Sequence, residues 1–83
     1  MNIGVYSVLD RKSVAYGNLL FFVNDDIAKR SMVEVMGERN NISLYPDDFD
    51  MYHVGVFNNE SGELTGVKPR LAARFGDFVR REA

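Results

Sequence analysis

Residues 45–64 read YPDDFDMYHVGVFNNESGEL. The stretch gathers acids around the chain's one histidine and spreads aromatics through an alternating apolar run. Two readings compete. Either Asp47, Asp48, Asp50 and His53 form a metal or catalytic site, or the stretch is the acidic lead-in to a β-hairpin. A calcium loop needs oxygen ligands at alternating positions, a glycine turn and a distant bidentate glutamate. Here the acids are bunched. Zinc or iron wants more than one strong nitrogen ligand, and His53 stands alone. The hairpin reading fits each residue. Pro46 disfavours a helix through Tyr45. Asp47 or Asp48 suits a turn, where a short carboxylate bonds nearby backbone N–H groups. Asp50 to Phe57 then alternates, with Tyr52, Val54 and Val56 on one face and Met51, His53, Gly55 and Phe57 on the other. Asn58 to Gly62 forms the loop, and Gly62 supplies the positive φ that a bulged hairpin turn requires. Glu63 to Val67 returns as the second strand of the pair.

Upstream, Ile3 to Leu9 reads as another strand, with Tyr6 and Val8 on one side and Ile3, Val5, Ser7 and Leu9 on the other. Asp10 to Ser13 is a turn, Val14 to Tyr16 a short returning strand, and Leu19 to Val23 a buried extended segment. Asn24 or Asp25 caps a helix over 25–38, whose acids complement the positive end of the helix dipole. Ile27, Ala28, Met32, Val35 and Met36 fall on its apolar face at helical spacing. Ile42 to Phe49 reads as a connecting loop. Downstream, Pro69 suits the first turn of a helix, where its missing N–H costs nothing. The spacing of Leu71, Phe75, Phe78 and Val79 predicts a second helix over 69–81. The expected fold is α+β: one domain over 1–83, with a small antiparallel sheet of three or four strands and two helices in the order β-(β)-α-β-β-α. Such a sheet leaves one face open. Tyr6 and Val8, or Met51 and Phe57, are the candidates to line it, and a homodimer that buried it would offset the small core.

The chain has 83 residues, is 46% hydrophobic and has no cysteine, which excludes disulfides and thiolate metal sites. Met1 to Leu9 has neither the basic lead nor the apolar run of a signal peptide, and no segment approaches a membrane span. Net charge is −2, unevenly placed. Residues 1–67 hold five basic and ten acidic groups, and residues 68–83 hold five basic and two acidic ones. The tail is therefore the polyanion-facing candidate. On the expected second helix, Arg70, Arg74 and Arg81 share one face, with Lys68 and Arg80 nearby. Guanidinium groups so placed bond phosphate oxygens without reading sequence. Tyr6, Tyr16, Phe21, Phe22, Tyr52 and Phe57 lie on extended segments, where one or two would form a stacking platform for single-stranded bases. The serines lie in no nucleophile-elbow context, and the glycines make no phosphate-binding fingerprint. The residues thus point away from an enzyme, and neither metal nor cofactor is expected.

Three segments in this order, IGVYSVLDRKSVAYGN, LLFFVNDDIAKR and YPDDFDMYHVGVFNNESGEL, carry a resemblance. The pattern runs from VYS-x-x-D through an FF segment to Pro46, Asp48, Gly55, Phe57 and Gly62, over roughly residues 3–64. It resembles the small nonstructural protein family of gokushoviruses, tailless single-stranded DNA phages of the Microviridae. The resemblance implies a phage-encoded protein absent from the virion, present in the host cytoplasm and described as DNA-binding. It also implies a role in viral genome replication or its coupling to packaging. It carries over no functional residues. The expected partner is single-stranded DNA, held without strong sequence preference. The competing expectation is a non-enzymatic factor that binds a host replication protein or a viral capsid component.

Overall fold

The computed structural model describes residues 1–79. Its centre is the strand pair formed by β1 (Asn2–Asp10) and β4 (Phe49–Asn58), antiparallel from Asn2↔Asn58 to Asp10↔Phe49. Strand β5 (Leu64–Arg74) continues from β4 as a hairpin. On the far side of β1 lie β2 (Ala15–Tyr16), beside Leu9 and Asp10, and β3 (Leu20–Phe22), beside Gly4 to Tyr6. The sheet is five-stranded and antiparallel throughout. Two helices complete the α+β fold, α1 (Asp25–Met36) and the single turn α2 (Asn41–Leu44).

The hairpin turn forms as its residues dictate. Asn58 Oδ1 accepts from the N–H groups of Glu60 and Ser61 at 2.9 and 3.1 Å, and Gly62 takes φ 77°. Asn24 caps α1 by accepting from Ile27 N at 2.9 Å, a contact worth about 1 kcal/mol. Helix α1 buries Ala28 and Met32 against one face of the sheet. There they meet Tyr6, Met51 and Phe75, with Val8, Leu20, Phe22 and Ala73 packed around them. The β1–β2 turn carries strain. Val14, 81% exposed, has φ 56°, the left-handed region that a β-branched side chain resists. Val14→Asn should therefore raise stability by about 1 kcal/mol, read as a higher denaturation midpoint at unchanged m-value.

The second helix expected over 69–81 does not form in the described residues, which end at 79. Residues 64–74 are strand β5, and Phe75–Phe78 is one 3-10 turn. Local propensity in LAARF favours a helix, but β4 offers β5 a ladder running, with two bulges, from Phe57↔Leu64 to Asp50↔Arg74, and the hairpin turn has already brought the two together. Pro69 fits because β5 is the edge strand and three of its residues, Val67 to Pro69, stand opposite Val54 alone. The second helix lies instead at Asn41–Leu44, inside the segment expected to be a loop. Asn40 and Ser43 close a capping box there, with Asn40 accepting from Ser43 N and Ser43 Oγ accepting from Asn40 N, both at 2.9 Å. Pro46–Asp48 is a 3-10 turn leading into β4. The segment at Leu19–Val23, expected to be buried, is half exposed.

Strict alternation also fails in β4. Between Val5↔Gly55 and Tyr6↔His53 one extra residue, Val54, enters the strand as a bulge. Such a bulge reverses which face each later residue meets. Met51 and His53 therefore face α1 beside Val8 and Tyr6, while Gly55 and Phe57 face the other way beside Val5 and Ile3. Tyr6, Val8 and Met51 belong to the covered face and cannot line the open one, although Phe57 does.

Candidate functional site: the uncovered sheet face

The face opposite α1 divides into two halves at the Val54 bulge. In the half toward the β1–β2 turn, register places Ser7, Leu9, Tyr52, Asp50, Leu71 and Arg74 together, with Tyr16 reaching in from β2. Tyr16 and Tyr52 meet edge to face, centroids 5.7 Å apart at 81°. Tyr16 keeps 47% of its surface in water. Ser7 Oγ donates to Gly17 O at 2.9 Å and fixes the chain after β2. In the other half, Phe21 and Phe57 meet at 5.9 Å and 72°. The stacking candidates named from sequence thus separate. Tyr16, Phe21, Tyr52 and Phe57 share the open face, while Tyr6 and Phe22 pack together in the core, 5.5 Å apart.

The tail arginines do not share a helix face. Arg74 sits on the open face across from Asp50, and Lys68 projects from the bulged, exposed edge of β5. Arg70 stands across from His53 on the α1 side, where both ends of its guanidinium donate to Asp25, at 3.0 and 3.2 Å. Arg80 and Arg81 lie outside the described residues. At the end of the sheet Arg11 N donates to Asp48 O at 2.8 Å, and the Arg11 side chain donates to Asp47 O and lies 4.0 Å from Asp50. Arg11 and Arg74 line a cleft of about 260 Å³ with Asp47, Asp50 and Asp77. Asp47 and Asp48 thus lie in the 3-10 turn and bond Arg11 through their carbonyl oxygens rather than their carboxylates, while Asp50 makes one long ion pair with Arg11. Among the described residues no group of three His, Asp or Glu side chains is placed to hold a metal ion. Among those residues too, no helix is long and apolar enough to cross a membrane.

A cluster that sequence reasoning missed joins three elements. Tyr6 Oη donates to Asp25 Oδ1 at 2.6 Å, and the same carboxylate takes the Arg70 fork. The Arg70 hydrogen bonds, then that from Tyr6, hold the Asp25 carboxyl below the usual carboxylate range. Burial first, then the Asp25 hydrogen bond and charge, pushes the Tyr6 phenol well above its ordinary value. His53 lies edge-on to the Tyr6 ring at 5.2 Å. The partners are 19 and 45 residues apart, so no local pattern signals the contact. None of its buried polar atoms lacks a partner, and it reads as a brace from α1 to the edge strand.

The family model described as Phage ORF5 protein matches residues 3–78. Protein ORF5 of Chlamydia phage 1, a gokushovirus of the Microviridae, is 31% identical over 72 residues, spanning 81% of this chain and 75% of that protein. No solved structure matches the chain.

Proposed function

The chain belongs to the Phage ORF5 protein family, and from that premise we propose that it is a non-enzymatic phage factor that binds single-stranded DNA in genome replication or its coupling to packaging. The observation that supports this reading is the Tyr16–Tyr52 pair on the uncovered sheet face near Arg74, with Tyr16 exposed and Tyr52 half-buried. A base has an aromatic face whatever its identity, so stacking on tyrosine holds single strands without reading sequence. Duplex DNA keeps its bases stacked inside and gains nothing from such a platform. Arg74 and Lys68, with Lys12 in the β1–β2 turn, are the cations that meet phosphates. Arg70 leaves this set because Asp25 already neutralises it. The overall charge of −2 repels a polyanion, so affinity is modest and stacking contributes much of it.

Fluorescence anisotropy with a labelled single-stranded oligonucleotide tests the reading. Three phosphate contacts predict a log–log salt slope of about −2. Tyr52→Ala should weaken binding by roughly 5- to 150-fold, corresponding to the stacking of one base, about 1–3 kcal/mol. Arg74→Gln should flatten the slope by about 0.7. Equal affinity for duplex, or a Tyr52→Ala variant that binds like the parent, would reject the proposal. A protein partner, such as a host replication protein or capsid component, would instead be held with little dependence on salt.

A further inference from the structure

The half of the open face that carries Tyr16 and Tyr52 ends in the cleft of about 260 Å³ beside the β1–β2 turn. Its residues differ in depth. Asp50 is buried and forms the floor, while Arg11, Asp47, Arg74 and Asp77 are exposed and form the rim. Gly76 lets the Asp47 carboxylate lie against the 3-10 turn, because a Cβ there would collide with it.

The side chain of Asp50 is 9% exposed. Among the described residues nothing donates a hydrogen bond to its carboxylate. Arg11 Nε, its ion partner, stands 4.0 Å away, beyond hydrogen-bond reach. The oxygens are not sealed from solvent, so they open into the cleft. A carboxylate this deep usually has its hydrogen bonds made within the protein. Here the acceptors stand ready for a donor from outside.

The surrounding charges select that donor. Asp47, Asp50 and Asp77 repel a phosphate, and Arg11 and Arg74 repel an amine or a metal cation. A neutral group with both donors and acceptors remains. The volume lies below the roughly 300–1,000 Å³ of a site for a drug-sized ligand, which suits a single nucleobase. Proteins read single strands on the Watson–Crick and Hoogsteen edges of unstacked bases. A carboxylate only accepts, so Asp50 fits a base with two adjacent donors. Of the four DNA bases guanine alone has them on its Watson–Crick edge, N1–H and the N2 amino group, with the acceptor O6 next in line. Arg11 stands beside Asp50 to meet O6, its guanidinium held in place by donating to Asp47 O at 3.2 Å. Cytosine and adenine set one amino group beside an acceptor that the carboxylate repels. Thymine flanks its one N–H with two carbonyls.

The cleft is also within reach of the stacking pair. Asp50 and Tyr52 lie on one face two residues apart along β4, about 7 Å. A strand with one base on Tyr52 brings the next nucleotide to Asp50, and Arg74, across from Asp50, meets the phosphate between them.

We propose that the cleft takes one guanine of a single strand, with Asp50 accepting from N1–H and the N2 amino group and Arg11 donating to O6. The proposal rests on the single-stranded DNA reading and adds to it a base preference that stacking does not give.

Competition anisotropy with the full chain tests it. Three short oligonucleotides compete: all thymidine, the same with one central deoxyguanosine, and the same with deoxyinosine there, which lacks only the N2 amino group. For the parent, the guanine version should bind roughly 5- to 150-fold tighter than the all-thymidine one, and the inosine version should fall between them. Asp50→Asn, with circular dichroism matching the parent, should bring the guanine version close to the all-thymidine one. Equal parent affinities for all three overturn the proposal and leave the single-stranded DNA reading standing. A folded Asp50→Asn variant that tightens all three alike and keeps their ratios also overturns it, since Asp50 then acts by charge alone. If the parent binds none of the three, the single-stranded DNA reading itself fails and the proposal fails with it. The comparison among parent affinities needs no variant, so it decides even if Asp50→Asn does not fold.

Discussion

Phe75→Ala should destabilise the protein by about 3–5 kcal/mol and leave a large fraction of the chain unfolded at room temperature. Phe75 is 1% exposed and stands at the start of the 3-10 turn that follows β5. It packs with Met32 of α1, Met51 of β4 and Tyr6 of β1. Removing its ring costs the transfer free energy and leaves a cavity that these elements, fixed by the ladder, cannot close. A chain of this length has a total stability of only about 4–12 kcal/mol, so the loss is a quarter of it or more. Phe75→Leu should cost about 1 kcal/mol, because a branched apolar side chain refills much of the volume. Urea denaturation followed by circular dichroism reads both. If Phe75→Ala unfolds at the parent's midpoint, the 3-10 turn does not close the core.

Asp25→Ala should be the next largest effect, about 2 kcal/mol. It strands the buried Tyr6 hydroxyl without an acceptor, a cost of about 1–3 kcal/mol. The Arg70 pair adds little, since half of that side chain is in water. The pH dependence follows from the directions of the shifts. Asp25 has a depressed carboxyl in the folded state, so its contribution is fully present above the unfolded carboxylate value, near pH 4, and is lost as pH falls through the folded one. Tyr6 has a raised phenol, so its contribution is full below about pH 10 and is lost as pH rises toward the folded value. Stability curves of the parent and of Asp25→Asn should therefore converge in acid. Curves that stay parallel down to pH 2 would mean the brace is absent in solution.

Much of the first two-thirds of the fold was legible because local signals agree there. Strand β1 alternates, α1 carries an apolar stripe behind an Asn cap, and Asn58 to Gly62 has the chemistry of its turn. The last third was not legible. Residues 69–79 have helical spacing, and only the ladder offered by β4 makes 64–74 a strand. The site was half legible. Tyr16, Phe21, Tyr52 and Phe57 were identified by type, but their common face depends on the Val54 bulge, which alternation cannot reveal. The basic group named from sequence breaks apart for a different reason. Its members were placed by a helix that does not form, so Arg70 turns to Asp25 and Arg74 to the open face.

Contact with single-stranded DNA should fall on the Tyr16–Tyr52 half of the open face. The most direct test is a set of two-dimensional NMR spectra of the labelled chain during titration with a short single-stranded oligonucleotide. Amide shifts should concentrate at Ser7 to Tyr16, Asp50 to Tyr52 and Lys68 to Arg74, with α1 and its Lys29 and Arg30 unmoved. Shifts confined to α1, or spectra unchanged at excess DNA, would contradict it.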